Sequence, residues 1–357
     1  MAFPIKPPVL PMLAKLSSEL PPGDGWIFEP KWDGFRALVF KSRDDVHIQS
    51  RDEKPLARFF PEVVATLVTQ LPGRCVLDGE IVIARDGALD FDMLQMRLHP
   101  AASRVNMLAG SIPASVVFFD VLHDGTRDLR GAAFADRRKA LARLLKRAKP
   151  PVHLTPATTD RKVAADWFRR FEGAGLDGVV AKPADGRYES NKRALVKVKH
   201  ERECDCVVAG FRWHKDSNKT AVGSLLLGLY RKGRLEHVGV SASFTAAKRK
   251  ELVEFLKPLR RNALDKHPWR EWAELDADAR QRKPGAQSRW SQGKDLSWEP
   301  LRPELVVQVA YDHMQRDRFR HTAQFRRWRT DKKPKDCTYA QLEVVPPHEL
   351  AEIFSAS

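Results

Sequence analysis

A chain of 357 residues is too long for one typical hydrophobic core, so two domains are expected. Hydrophobic residues make up 43% of it without a run of membrane-spanning length, which excludes a helical membrane protein and predicts a soluble globular one. Its 62 Lys and Arg exceed 46 Asp and Glu, giving +16 and a pI near 9.8, so the expected partner is a polyanion. Nucleic acid is favoured over a membrane, because the chain carries no lipidation motif or basic amphipathic anchor. The segment Met1–Pro8 has no apolar core of a secretory signal, and Cys75, Cys204, Cys206 and Cys337 form no CxxC pair. Reduced thiols in a cytoplasmic setting are therefore expected, and Cys204-Asp205-Cys206 reads as two buried thiols on one strand face.

Residues 1–24 are rich in proline and read as an extended lead-in. Trp26 to Phe40 reads as strand, turn, strand, with Lys31 at the junction, and Val46–Ser50 as a short strand. Helical spacing appears over Phe59–Leu67, with Pro61 suited to a first turn. Arg74–Ala84 carries two strand segments around Asp78-Gly79-Glu80, and Asp86-Gly87 closes them in hairpin style. Ser115–Leu122 is a buried strand, while Phe134–Lys149 and Arg161–Glu172 are helices, the second ended by Gly173 and Gly175. Gly175–Lys182 and Ala194–Lys199 complete the strands of the first part. Beyond Lys199 the texture changes to short β runs at 206–213, 222–230 and 234–243, one helix near Thr245–Arg261, and a strand at Glu304–Tyr311. That pattern suits a small OB-type Greek-key barrel, and the domain boundary is expected at 199/200.

Charge recurs where the strands of the first part end: Lys31, Arg36, Arg51, Asp78 with Glu80, Asp177, and Lys197 with Lys199. A charge inside an apolar strand is costly unless it is paired or faces a ligand. Period-2 geometry puts Lys197 and Lys199 on one face, and likewise Asp78 and Glu80. Paired carboxylates suit a divalent cation whose shell is completed by phosphates, and lysine pairs suit the phosphates themselves. A lysine attacks phosphorus only once neutral, a form that neighbouring cations favour. Each piece also has a bland reading as a turn, a solvated face or core; together they suggest a polyphosphate and a metal beside a nucleophile.

The octet Glu29-Pro30-Lys31-Trp32-Asp33-Gly34-Phe35-Arg36, with Ser50-Arg51, Asp78-Gly79-Glu80, Phe119-Asp120, Asp177–Lys182 and Lys197/Lys199, resembles the motif series of ATP-dependent DNA ligases in the covalent nucleotidyltransferase superfamily. The layout is similar to the short two-domain bacterial C-type ligases over essentially the whole chain. The resemblance implies an α+β fold: an ATP-grasp-like nucleotidyltransferase domain of antiparallel sheets with flanking helices over 1–199, then an OB-fold β-barrel domain over 200–357. It implies ATP and Mg²⁺ or Mn²⁺ as cofactors, and Lys31 as the residue that becomes adenylylated. Glu29 would read the adenine amino group, Arg36 approach the nick 5′-phosphate, Arg51 the ribose and phosphate region, and Glu80 the ribose. Phe119 would stack on adenine, Lys197 and Lys199 hold the α-phosphate, and Asp78, Glu80 and Asp177 hold the metal.

In the second domain, Arg327-Trp328-Arg329-Thr330-Asp331-Lys332 resembles the last motif, which implies nucleotide contacts for Arg327 and Arg329 and orientation of pyrophosphate by Asp331 and Lys332. The segment 312–335 holds nine Lys or Arg against three Asp, interleaved with Phe319, Phe325 and Trp328, as a nucleic-acid surface would. Two departures stand out: Asp177 where the family commonly has glutamate, and Glu53 where it often has glycine. The expected activity is sealing of nicks in duplex DNA by a monomer of the bacterial cytoplasm and nucleoid, in repair, alongside polymerase or end-bridging partners. The alternatives are an RNA ligase or capping guanylyltransferase, and a basic nucleic-acid-binding protein without catalysis.

Overall fold

The computed structural model describes residues 3–215, 217–273, 297–315, 317–342 and 348–355. The chain forms two compact units, Met1–Lys199 with Val345–Ser357, and His200–Val344.

Strands of the first unit are β1 (Ala14–Ser17), β2 (Trp26–Pro30), β3 (Phe35–Ser42), β4 (Asp45–Gln49), β5 (Arg74–Val82), the small hairpin β6 (Ala84–Arg85) and β7 (Ala88–Leu89), β8 (Ser115–His123), β9 (Val152–Leu154), β10 (Gly178–Pro183) and β11 (Leu195–Lys199). Its helices up to that point are α1 (Pro61–Gln70), α2 (Phe91–Met96), α3 (Ala102–Ser111), α4 (Phe134–Leu144) and α5 (Arg161–Arg170). The strands make a four-stranded sheet, β1-β11-β10-β2, and a five-stranded sheet, β4-β3-β5-β8-β9. Pairing is antiparallel except for β1 with β11 and β8 with β9.

Alternation along these strands sorts their side chains into three layers. Ala37, Val39, Cys75, Leu77, Val116 and Phe118 face a core shared with Leu67 of α1 and Leu141 of α4. Leu38, Phe40, Val76 and Leu122 face the other way and meet Leu195 and Tyr188, which puts them between the two sheets. Phe28, Val179, Ala181, Val196 and Val198 back onto Ala164 and Trp167 of α5. The final residues group with this unit rather than with those before them, because Leu350 and Ile353 of the terminal helix Leu350–Ser355 bury in that third core.

The octet is therefore not the turn of a hairpin. β2 pairs with β10 in one sheet and β3 with β5 in the other, so Lys31–Gly34 carries the chain across between sheets. The proline-rich lead-in also holds more than extended chain, since β1 joins β11 in parallel.

The second unit contains β12 (Arg202–Trp213), β13 (Val222–Arg231), β14 (Arg234–Ser241), β15 (Glu299–Tyr311), the pair β16 (Met314–Gln315) and β17 (Arg318–Phe319), and β18 (Gln324–Trp328), with helices α6 (Ala246–Leu256) and α7 (Arg270–Ala273). Five of the strands form one antiparallel sheet, β14-β13-β12-β15-β18. The expected barrel takes the form of this open sheet: among the described residues a single bridge, Ser241 to Ala323, joins its two edges. Cys204 and Cys206 point to one face of β12, as alternation requires, and both thiols lie in the core with Cys337.

Candidate active site

The layer between the sheets of the first unit is where the predicted charges gather. Arg36 shares the parity of Leu38 on β3, Asp78 and Glu80 that of Val76 on β5, and Lys197 and Lys199 that of Leu195 on β11. Arg36 lies opposite Glu80 in the β3–β5 register. Charges on this face need partners or a ligand, and most have partners.

Lys31 is fixed by its backbone, which donates to the Gly178 carbonyl at 2.8 Å and accepts from the Asp177 amide at 3.0 Å. Its ammonium then reaches Asp177 Oδ2 at 2.6 Å, and Lys199 Nζ reaches the same oxygen at 3.1 Å. Gly178 makes this approach possible: its φ is +132°, and a Cβ there would lie 2.1 Å from the Val198 carbonyl oxygen. Lys197, two residues from Lys199, is held below the usual lysine range by burial and by Lys31, Lys199 and Arg51.

Asp78 departs from its expected role. It is fully buried, and its oxygens take both arms of the Arg36 fork at 2.5 Å each and the Tyr188 hydroxyl at 2.7 Å. A carboxylate so engaged has no accessible oxygen to offer a metal. Arg36 in turn lies over the Phe119 ring, 4.7 Å from its centroid. Glu80 has no such fork. Burial pushes its carboxyl up to about 7, against the pull of Arg36 and Lys31.

Glu29 is 2% exposed and paired through Oε2 to Lys182 at 2.7 Å. Its Oε1 lies 3.5 Å from Arg138 Nη1, yet both atoms are buried without a hydrogen bond. Lys182 also donates to the Phe119 carbonyl at 3.0 Å and sits 4.7 Å from the Phe119 ring centroid. Buried polar atoms without a hydrogen bond are rare, and here an acceptor and a donor stand side by side beside an aromatic ring. Arg51 stands exposed in the turn after β4, where Glu53 takes the left-handed conformation at φ +61° that a glycine adopts freely.

In the second unit the last motif is organised by a residue that sequence reading passed over. Asp205, on the β12 face opposite the two thiols, accepts from Arg329 at 2.9 and 3.1 Å and from Lys332 at 2.8 Å. Arg329 simultaneously grips Asp331 at 2.8 and 2.9 Å, which holds the Asp331 carboxyl well below the usual range. Arg327 donates to Gln308 at 2.7 Å.

Lys31, Arg36, Glu80, Phe119, Asp177, Lys197, Lys199 and Glu29 thus belong to the first unit with Asp78, while Arg327, Arg329, Asp331 and Lys332 form a separate cluster in the second. Four participants were missed: Lys182, Arg138, Tyr188 and Asp205. Lys182 had a signal, being a lysine inside an apolar strand on the parity of Val180.

Comparison with known proteins places the chain in a family. The ATP dependent DNA ligase domain matches residues 11–199, and the ATP dependent DNA ligase C terminal region matches residues 218–332. DNA ligase C2 of Mycolicibacterium smegmatis is 54% identical over 350 residues, 98% of each chain. DNA ligase C of Mycobacterium tuberculosis is 52% identical over 358 residues, 99% of each. A multifunctional non-homologous end joining DNA repair protein of M. tuberculosis is 29% identical over 87% of this chain and 37% of its own length. A solved Lig E DNA ligase is alike in fold, with a TM-score of 0.56 at 17% identity over 90% of this chain and 99% of that one. With matched domains on both sides of residue 200 and relatives alike from end to end, the chain belongs to the family of ATP-dependent DNA ligases.

Proposed function

We propose that this ligase seals 5′-phosphate/3′-hydroxyl nicks in duplex DNA through an adenylate on Lys31. The observation that carries the reading is the meeting of Lys31 and Lys199 on one oxygen of Asp177, in the unit that also holds Glu29 Oε1 beside Arg138 Nη1, neither with a hydrogen bond. Adenine presents an amino donor next to a ring acceptor, the complement of that carboxylate oxygen and guanidinium nitrogen. Guanine presents the reverse, so the pair favours ATP over GTP. Phe119 offers the ring beside them for stacking.

Lys31 Nζ, its proton given up, attacks the α-phosphorus; the N–P bond forms as the bond to pyrophosphate breaks. Lys197 and Lys199 hold charge on the α-phosphate, with Arg51 nearby at the phosphates. Asp331 and Lys332, kept in place by Arg329 and Asp205, orient the departing pyrophosphate, and Arg327 joins the nucleotide contacts. AMP then passes to the DNA 5′-phosphate, approached by Arg36, and the 3′-hydroxyl displaces it. Asp177 and Glu80 are the carboxylates suited to Mg²⁺ or Mn²⁺, which when bound neutralises phosphate charge. The +16 charge supports duplex DNA as the partner, with affinity falling steeply as salt rises. A relative named for non-homologous end joining DNA repair supports a role in bacterial DNA repair; polymerase or end-bridging proteins would be its partners there, and the two domains would meet near residue 199. Among the described residues no helix is long and apolar enough to cross a membrane.

Incubation with α-labelled ATP or GTP and Mg²⁺ tests the covalent step. Label from ATP that survives denaturation and is abolished by Lys31→Ala is expected. Label from GTP would indicate capping chemistry, and no label from either would overturn the enzyme reading. Nicked DNA and nicked RNA duplexes then assign the substrate.

A further inference from the structure

Tyr188 lies outside the motifs, between β10 and β11, yet it is built into the frame around Arg36. Its hydroxyl donates to Asp78 Oδ2 at 2.7 Å and accepts from the Met12 amide at 3.3 Å. Asp78 holds Nε and Nη2 of Arg36 at 2.5 Å each, and Nη2 reaches the Met12 carbonyl at 3.5 Å. Four residues close a ring: Met12 amide, Tyr188 hydroxyl, Asp78 carboxylate, Arg36 guanidinium, Met12 carbonyl. Tyr188 is only 6% exposed, its amide donates to the Arg130 carbonyl at 2.9 Å, and the Arg137 guanidinium covers its ring at 5.7 Å. Burial and Asp78 push the phenol well above its usual range, so it stays a donor.

This ring commits two of the three guanidinium nitrogens. Arg36 Nη1 makes no hydrogen bond among the described residues, and the plane is pinned against Phe119. An arginine held in this way has little rotamer freedom left to lose when an anion arrives, which is what a second layer of support provides. A tyrosine needed only for packing would have no use for a hydroxyl aimed at a buried carboxylate.

We propose that Tyr188 is a positioning residue for the transfer of AMP to DNA, holding Asp78, and through it Arg36, in the orientation that leaves Nη1 for the 5′-phosphate of the nick. The inference rests on the assignment of Arg36 to that phosphate. It accounts for a buried Asp78 that serves the site without touching substrate or metal.

A double-mutant cycle tests it, reading single-turnover transfer of AMP from pre-adenylylated enzyme to a nicked duplex. Tyr188→Phe, which removes only the hydroxyl, is expected to slow transfer about tenfold in the native background and to add nothing to Arg36→Ala. A rate equal to the wild type, or the same factor lost in both backgrounds, would overturn the proposal and leave Tyr188 a packing residue. Tyr188→His, whose ring nitrogen can donate to Asp78, is run through the same cycle, so the test stands if the phenylalanine variant does not fold. Its transfer is expected to lie closer to the wild type, and a non-additive loss with Arg36→Ala is again required. Lys31 labelling by ATP is the control on the underlying reading: if the wild type takes no label or does not transfer it to DNA, the ligase mechanism fails rather than the role of Tyr188.

Discussion

Lys31 donates its ammonium proton to Asp177 Oδ2 at 2.6 Å across 146 residues of sequence. The proposed nucleophile and the proposed metal ligand are thus in direct contact, and Lys199 shares the same oxygen. Removing the carboxylate takes away both the partner of the two cations and a proposed metal ligand. Asp177→Asn is expected to slow labelling of Lys31 by ATP about a hundredfold or more, with Asp177→Glu retaining part of the rate. A rate for Asp177→Asn within threefold of wild type would remove this carboxylate from the covalent step.

Glu80 titrates in an accessible range. Its folded carboxyl is pushed up to about 7 from 4.5, chiefly by burial. The folded state therefore keeps a proton that the unfolded chain has lost, so stability from this group is full below about 4.5 and drains away as pH rises to about 7, on the order of 3 kcal/mol. Glu80→Gln has no charge to bury. Without nucleotide it should match the wild type in melting temperature near pH 4.5 and exceed it by several degrees at pH 8. A difference that does not change with pH would show that Glu80 ionises freely.

Asp205→Asn removes the buried anchor of both Arg329 and Lys332. The expected loss is about 2 kcal/mol of stability in denaturant unfolding. Adenylylation of Lys31 should slow as much as in Lys332→Ala, with sealing of a pre-adenylylated nick spared. Equal loss of both steps would count against the pyrophosphate role.

Gly34 is required by contact rather than by a turn. A Cβ there would lie 2.2 Å from the Ile81 carbonyl oxygen and 2.9 Å from Glu80 Cγ, where β3 begins beside β5. Gly34→Ala should destabilise by about 3 kcal/mol, because backbone must move, and it should displace Glu80 as well. A melting temperature within a degree of wild type would show that the strands part easily.

Alternation carried the sequence reading far. It put Asp78 with Glu80, and Lys197 with Lys199, on the faces where the structure has them, because side chains on a strand have no other choice. Tyr188 and Asp205 were out of reach for the opposite reason. Their partners lie 110 and 127 residues away, and neither residue interrupts a periodic pattern in a way that names its contact. β18 hid inside what read as a basic motif, since an edge strand carrying Arg326 and Arg327 shows little apolar alternation. β1 hid among prolines for the same want of pattern. Helices α2 and α3, of 6 and 10 residues, fill a stretch left without a reading between the Asp86-Gly87 turn and β8.

The buried cysteines divide unevenly between the units, Cys75 in β5 of the first and Cys204, Cys206 and Cys337 in the second. Burial pushes Cys75 and Cys337 up to about 12, so these two present almost no thiolate to a reagent in the folded chain, and all four sulfurs are buried. Alkylation of each sulfur thus waits for its own unit to open, and peptide-resolved labelling becomes a clock that times the breathing of the two halves separately in the unmodified enzyme.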